Sequence, residues 1–228
     1  MNTIFSTTGD GYILKSSTVS WDDARDATNG TSLNTATSNY FAGAAATFVS
    51  GRTGNTYQII RSFFYFDTSA IVTPPARAIF KLRGRSTFGT TGDTILVKSS
   101  QDSFSVLQTS DFDNVDFNTT YSAELESGDY TISDYNDYEL NETARNDMAS
   151  LDTLKFAVIN HTYDYTDTAP SLGVAHRNGM YYANYSGTTR DPKIEYTDIG
   201  KINDVTNIAK VNGVPIASIA SRNGVEGD

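Results

Sequence analysis

At 228 residues the chain is long enough for one large domain with a real core, or for one domain plus an appendage. Acidic side chains outnumber basic ones 27 to 17, a net charge of −10, and a surface that negative repels a phosphate backbone, so nucleic acid is not an expected partner. The absence of cysteine excludes a disulfide framework, a thiolate zinc site and a cysteine nucleophile.

Along the chain, Met1 to Leu14 carries neither a basic n-region nor a long apolar run, so no signal peptide is expected. No later stretch reaches the roughly 18 apolar residues of a spanning helix, and membrane insertion is not expected. Trp21 to Ala27 reads as a short helix, with Ser20 as its cap and Asp23 in its first turn. Ile59 to Phe66 (IIRSFFYF) is too continuously apolar for a half-exposed strand and predicts a central strand buried on both faces. Thr73-Pro74-Pro75 breaks the chain after it. The next strand alternates, with Ala78, Phe80 and Leu82 inward and Lys81 and Arg83 toward water; Thr94 to Lys98 and Leu154 to Ile159 repeat the pattern. Between them, Leu140, Ala144, Met148 and Leu151 share one helical face behind an Asn141 cap. Lys193 to Tyr196 closes the series with Ile194 and Tyr196 inward. Short strands separated by Gly, Asn, Asp, Ser and Thr clusters, with one or two short helices, predict an all-β antiparallel sandwich over residues 1–198.

The composition changes near Asp198. Residues 199–228 repeat a short theme: Ile202-Asn203-Asp204-Val205, Val211-Asn212-Gly213-Val214 and Arg222-Asn223-Gly224-Val225. Asn-Gly and Asn-Asp favour type I′ turns, whose two central residues both need positive φ. The flanking residues Ile202, Val205, Ile208, Val211, Val214, Ile216 and Ile219 would form very short strands. This predicts an extended tail with no core of its own, either a loosely ordered terminus or a segment ordered by packing on another subunit.

Arg61 to Ile71 (RSFFYFDTSAI) resembles the signature segment of the DNRLRE family, β-sandwich modules of bacterial surface proteins, secreted polysaccharide-active proteins and phage structural proteins. Ala76 to Leu82, Asn141 to Ile159 and Asp191 to Tyr196 resemble the family's next strand, its helix-plus-strand and its closing strand, in that order. The pattern departs from the family between Gln101 and Asp137, where its tryptophan-containing strand has no counterpart. The resemblance implies a jelly-roll-like sandwich over about Gly11 to Thr197. The tail is similar to repeats in tailed-phage virion proteins that accompany head-fibre, decoration or tail-associated domains, Ile208 to Ile216 most clearly. That implies a virion structural protein whose partners are other virion proteins or copies of itself. A carbohydrate-binding or adhesion module of a bacterial surface protein is the alternative.

Signatures of catalysis are missing from the sequence: it has no G-x-S-x-G elbow, no H-E-x-x-H and no Walker-type loop, and an enzyme is not expected. His161 lies near Asp164 and Asp167 in sequence, a possible base held by a carboxylate, though a surface loop histidine is the simpler reading; His176 reads as part of a turn. Asp111, Asp113 and Asp116 alternate as in a calcium loop, but the sixth position is Asp116 instead of Gly and the twelfth is Ser122 instead of Glu. No cofactor is expected, with a structural calcium ion left open. Tyr163, Tyr165, Tyr181, Tyr182 and Tyr185 sit in polar stretches and are the candidates for contact with a cell-surface glycan or a protein partner.

Overall fold

The structure is a computed structural model that describes residues 1–35, 43–51, 54–87, 89–101, 106–183 and 187–198, together with the backbone of 210–211 and 214–215. It divides into two compact units, Met1–Asp198 and Ile199–Asp228.

The first unit is an all-β antiparallel sandwich. Its strands are β1 (Asn2–Phe5), β2 (Gly11–Ser17), β3 (Ser32–Asn34), β4 (Gly43–Gly51), β5 (Gly54–Asp67), β6 (Arg77–Thr87), β7 (Thr94–Ser99), β8 (Val115–Thr120), β9 (Tyr135–Glu139), β10 (Thr153–Asn160), β11 (Ala175–Met180) and β12 (Lys193–Thr197). One layer runs β1-β12-β6-β9. The other is organised on β5, which carries β2 and then β3 along one edge. Along its other edge lie β4, leading to β11, and β10, leading to β7 and β8. The far end of β6 pairs with β11 through Asn178↔Thr87 and Met180↔Gly84, so this long strand passes from one layer into the other at a corner.

The alternation of β6 is as expected, with Ala78, Phe80 and Leu82 fully buried between the layers. They meet Ile60, Phe64 and Phe66 of β5 and Leu154, Phe156 and Val158 of β10 in the main core. Rings supply much of the contact: Phe64 to Phe80 is 5.2 Å between centroids, Phe80 to Phe156 4.9 Å and Phe66 to Phe156 5.6 Å. Helix α2 (Glu142–Ser150) seals one end of this core with Ala144 and Met148, and Asn141 caps it by accepting the Ala144 amide. Leu151 is 39% exposed, outside the expected face, because the helix stops at Ser150 and Leu151 turns to extended backbone.

A second core lies on the outer face of β5, where Ile59 and Phe63 pack with Ile95, Val97, Ala157 and Ile159. It is roofed by Trp21 and Ala24 of α1 (Trp21–Arg25), by Leu107 and by Phe112 of a 3-10 turn, Thr109–Asp113. Ser20 caps α1 by accepting the Asp23 amide, although the helix ends at Arg25 and not at Ala27. This roof is why Thr94–Lys98 and Leu154–Ile159 depart from simple alternation: both of their faces are covered.

Arg61 sits in this second core with no exposure. Asp164 accepts from its Nε and Nη2 at 2.9 and 2.7 Å, the Phe112 carbonyl accepts from its Nη1, and the Arg25 carbonyl accepts from its Nη2. Its guanidinium lies 4.1 Å from the centroid of Phe112 and 5.1 Å from that of Phe117. One charged residue in an otherwise apolar run thus ties α1, the 3-10 turn and the Asp164 turn onto the same strand.

Within the second unit, β13 (Lys210–Val211) and β14 (Val214–Pro215) pair antiparallel, Lys210↔Pro215 and Val211↔Val214. The two residues between them in sequence are Asn212-Gly213, the pair best suited to a two-residue hairpin connection. Ile202, Val205, Ile208, Ile216 and Ile219 lie outside the described residues.

Candidate binding surface

The four described residues among the expected contact tyrosines do not share one surface. Tyr163 and Tyr165 lie on a π-helical turn, His161–Tyr165, that follows β10. Asn160 caps it by accepting the Tyr163 amide at 2.9 Å, and the His161 amide donates to the Asp93 carbonyl. The Tyr163 ring rests 5.3 Å from His176, and Tyr165 stacks on His161 at 5.3 Å. Each of the two histidines lies near Asp93, whose carboxylate accepts from the Ser127 amide and the Thr162 hydroxyl. The alternative reading of His161 as a base held by Asp164 or Asp167 is not met: its Nδ1 pairs with Glu124. The π-turn directs Asp164 inward to Arg61, while Asp167 accepts from the Trp21 indole and pairs with Arg25. His176 lies within β11 and not in a turn, and partial burial holds its imidazole below the usual pKa.

Tyr181 follows the opposite end of β11, five residues from His176, or roughly 17 Å along an extended chain. Arg190 donates to its hydroxyl at 3.0 Å, and the guanidinium groups of Arg190 and Arg85 lie 5.0 and 5.4 Å from its ring centroid. Arg83, whose carbonyl accepts the Tyr181 amide, is paired across the sheet with Tyr135. Arg83 and Lys193 lie 5.9 and 5.1 Å from the Tyr135 ring. The result is a cation–aromatic surface at the corner where β6 changes layers, within a chain of net charge −10. Arg83 also pairs with Asp134 and Lys193 with Glu195, so the surface mixes both signs.

Tyr182 is no contact residue. It has no exposed surface, its hydroxyl is 2.6 Å from the Ser62 hydroxyl, and its ring packs on Phe64. Neighbouring residues of an extended chain point to opposite faces, so Tyr181 goes outward and Tyr182 into the core. Tyr185 lies outside the described residues. Arg85, Tyr135 and Arg190 were not singled out from the sequence, and Arg83 only as a water-facing position of its strand. Outward alternation along β6 was the available signal for Arg83 and Arg85, whereas the Tyr135 pairing depends on a register that no linear pattern carries.

Asp111, Asp113 and Asp116 do not gather around a point. Asp111 accepts from the Gln108 amide and the Asn114 side chain, Asp113 is exposed, and Asp116 accepts the Asn118 amide. Among the described residues no three His, Asp or Glu side chains converge as metal ligands, and no helix is long and apolar enough to cross a membrane. A solvent-open depression of about 330 Å³, lined by Lys15, Asp23, Asp26, Ala27, Thr28 and Asn29, includes none of the four described tyrosines. No protein-family model matches the chain, and no curated protein matches it.

Proposed function

We propose that the chain is a structural protein of a tailed-phage virion, as a capsid decoration, head-fibre or tail-associated component. It displays its sandwich on the particle and is held there by residues 199–228, acting by binding and not by catalysis. The observation that carries this reading is the repeated Asn-Gly/Asn-Asp tail, which is a second compact unit and contains an antiparallel strand pair flanking Asn212-Gly213. Two-residue strands bury too little to be stable alone, but their free main-chain groups can extend the sheet edge of another virion protein or of another copy. Many copies on a symmetric particle would turn a weak surface contact into strong attachment. The test is a chain ending at Asp198, which is expected to keep the circular dichroism and melting of the sandwich while losing incorporation into particles. Normal incorporation of that chain would overturn the role of the tail.

A second reading, a carbohydrate-binding or adhesion module, draws on the grouping of Arg83, Arg85, Arg190 and Tyr181. With cations over the Tyr135 and Tyr181 rings, this surface suits an acidic glycan better than a neutral one stacked on bare rings. Retention on uronate-containing polysaccharide, lost in Arg190→Ala, is the expected result; equal retention by that variant would remove the reading.

A further inference from the structure

Two carboxyl groups stand apart from the rest of this acidic chain. Asp10, in the turn between β1 and β2, is fully buried. It accepts the Ala183 amide at 3.1 Å on Oδ1 and 3.0 Å on Oδ2, and the Ser6 hydroxyl at 2.8 Å. Burial pushes its pKa up to about 8 against these donors, and the charge of Asp191 adds in the same direction. Asp191 is 6% exposed, and its Oδ1 is buried with no hydrogen-bond partner. Burial raises its pKa as well.

Ser6 links the two, because its hydroxyl serves Asp10 while its amide donates to the carbonyl of Pro192, the residue after Asp191. Neither carboxyl forms an ion pair with a described Lys, Arg or His, even though Arg190 and Lys193 flank Asp191 in sequence. Arg190 donates to Tyr181, and Lys193 pairs with Glu195 at 2.6 Å. Burying a carboxylate with no compensating charge is among the costliest arrangements in a fold.

We propose that Asp10 and Asp191 hold a hard, oxygen-liganded divalent cation of the calcium type, which fastens the β1–β2 turn to the segment entering β12. A cation allows both carboxyls to ionise and gives the unpartnered Asp191 oxygen a ligand to bind. Calcium accepts the irregular set of carboxylate, carbonyl and water oxygens that a two-acid site requires. Zinc is a poorer fit, since the chain has no cysteine and both histidines lie at the opposite end of β11.

The full chain, stripped with EDTA, would be melted with added Ca²⁺, Mg²⁺ or Mn²⁺ at constant ionic strength. Calcium at a hundredfold excess over its Kd is expected to raise Tm by roughly 5–10 °C. Asp191→Asn should abolish the rise, while Asp113→Asn, at an exposed position, should keep it. Terbium luminescence sensitised by tyrosine gives a second readout that does not depend on melting, and should fall to background in Asp191→Asn. No rise with any of the three ions overturns the proposal. So does a rise of full size in both Asp191→Asn and Asp10→Asn, which would be general screening of the negative surface.

Discussion

Asp164 and Asp10 are equally hidden from solvent, yet the regions around them solve the same electrostatic problem in different ways. On the outer face of β5, Asp164 meets a guanidinium edge-on and Arg61 also donates to two carbonyls. At the β1–β2 corner, Asp10 has an amide and a hydroxyl but no cation. Burial by itself therefore says little about what a charged group contributes. The difference lies in whether the fold supplies the opposite charge, and at the corner that charge is assigned to a metal ion.

The largest effect should come from breaking the paired region. Arg61→Met leaves Asp164 buried with only Arg25 Nε, 4.0 Å away, as a cationic neighbour, and is expected to cost about 3–5 kcal/mol by denaturant unfolding. A double variant, Arg61→Met with Asp164→Leu, should recover much of that loss. If the single and double variants are equally unstable, packing and not charge is what Arg61 contributes. A loss of similar size, about 3–5 kcal/mol, is expected for Phe64→Ala in the main core, where no charge is involved.

At the corner the sign is reversed. With chelator present, the folded chain keeps the Asp10 proton up to about pH 8, whereas the unfolded chain releases it near 3.8. The contribution of this group is thus complete below pH 4 and is lost as pH rises toward 8. Melting temperatures of the metal-free protein should fall across that window, and Asp10→Asn should flatten the slope. An unchanged slope would show that Asp10 does not carry it.

Smaller effects sharpen the contrast. Asn141→Ala removes the acceptor for the Ala144 amide and a donor to the Thr120 carbonyl, and should cost about 1 kcal/mol. Arg77 and Glu139 make the same two-pronged contact as Arg61 and Asp164, but at 58% and 57% side-chain exposure. Arg77→Ala should leave stability close to that of the parent chain, and any change should vanish at high salt. A larger loss would mean that geometry, and not burial, sets the value of such pairs in this fold.

Much of the sandwich was legible because strand and cap signals are local. The alternation at Ala78, Phe80 and Leu82, the two-sided run at Ile59 to Phe66, and the caps Ser20 and Asn141 all depend on neighbours within a few residues. What was not legible depends on distant partners. Arg61 stands out in the sequence as a charge within an apolar run, but Asp164 lies 103 positions away. His176 reads as part of a turn, and lies instead in the strand Ala175–Met180, whose pairing shifts register between Gly179 and Met180. Missing that strand also hid the burial of Tyr182. The cation–aromatic surface was legible only at Tyr181, since its cations arrive from β6 and from the segment leading into β12.

The central claim, that this chain is built into a virus particle, is tested most directly by quantitative peptide mass spectrometry on gradient-purified particles from the source culture. The account predicts this chain at a fixed ratio to the major capsid protein in every particle fraction, with peptides from both the sandwich and the tail. Its absence from particles, with the protein found only on cells or in the medium, would contradict that claim.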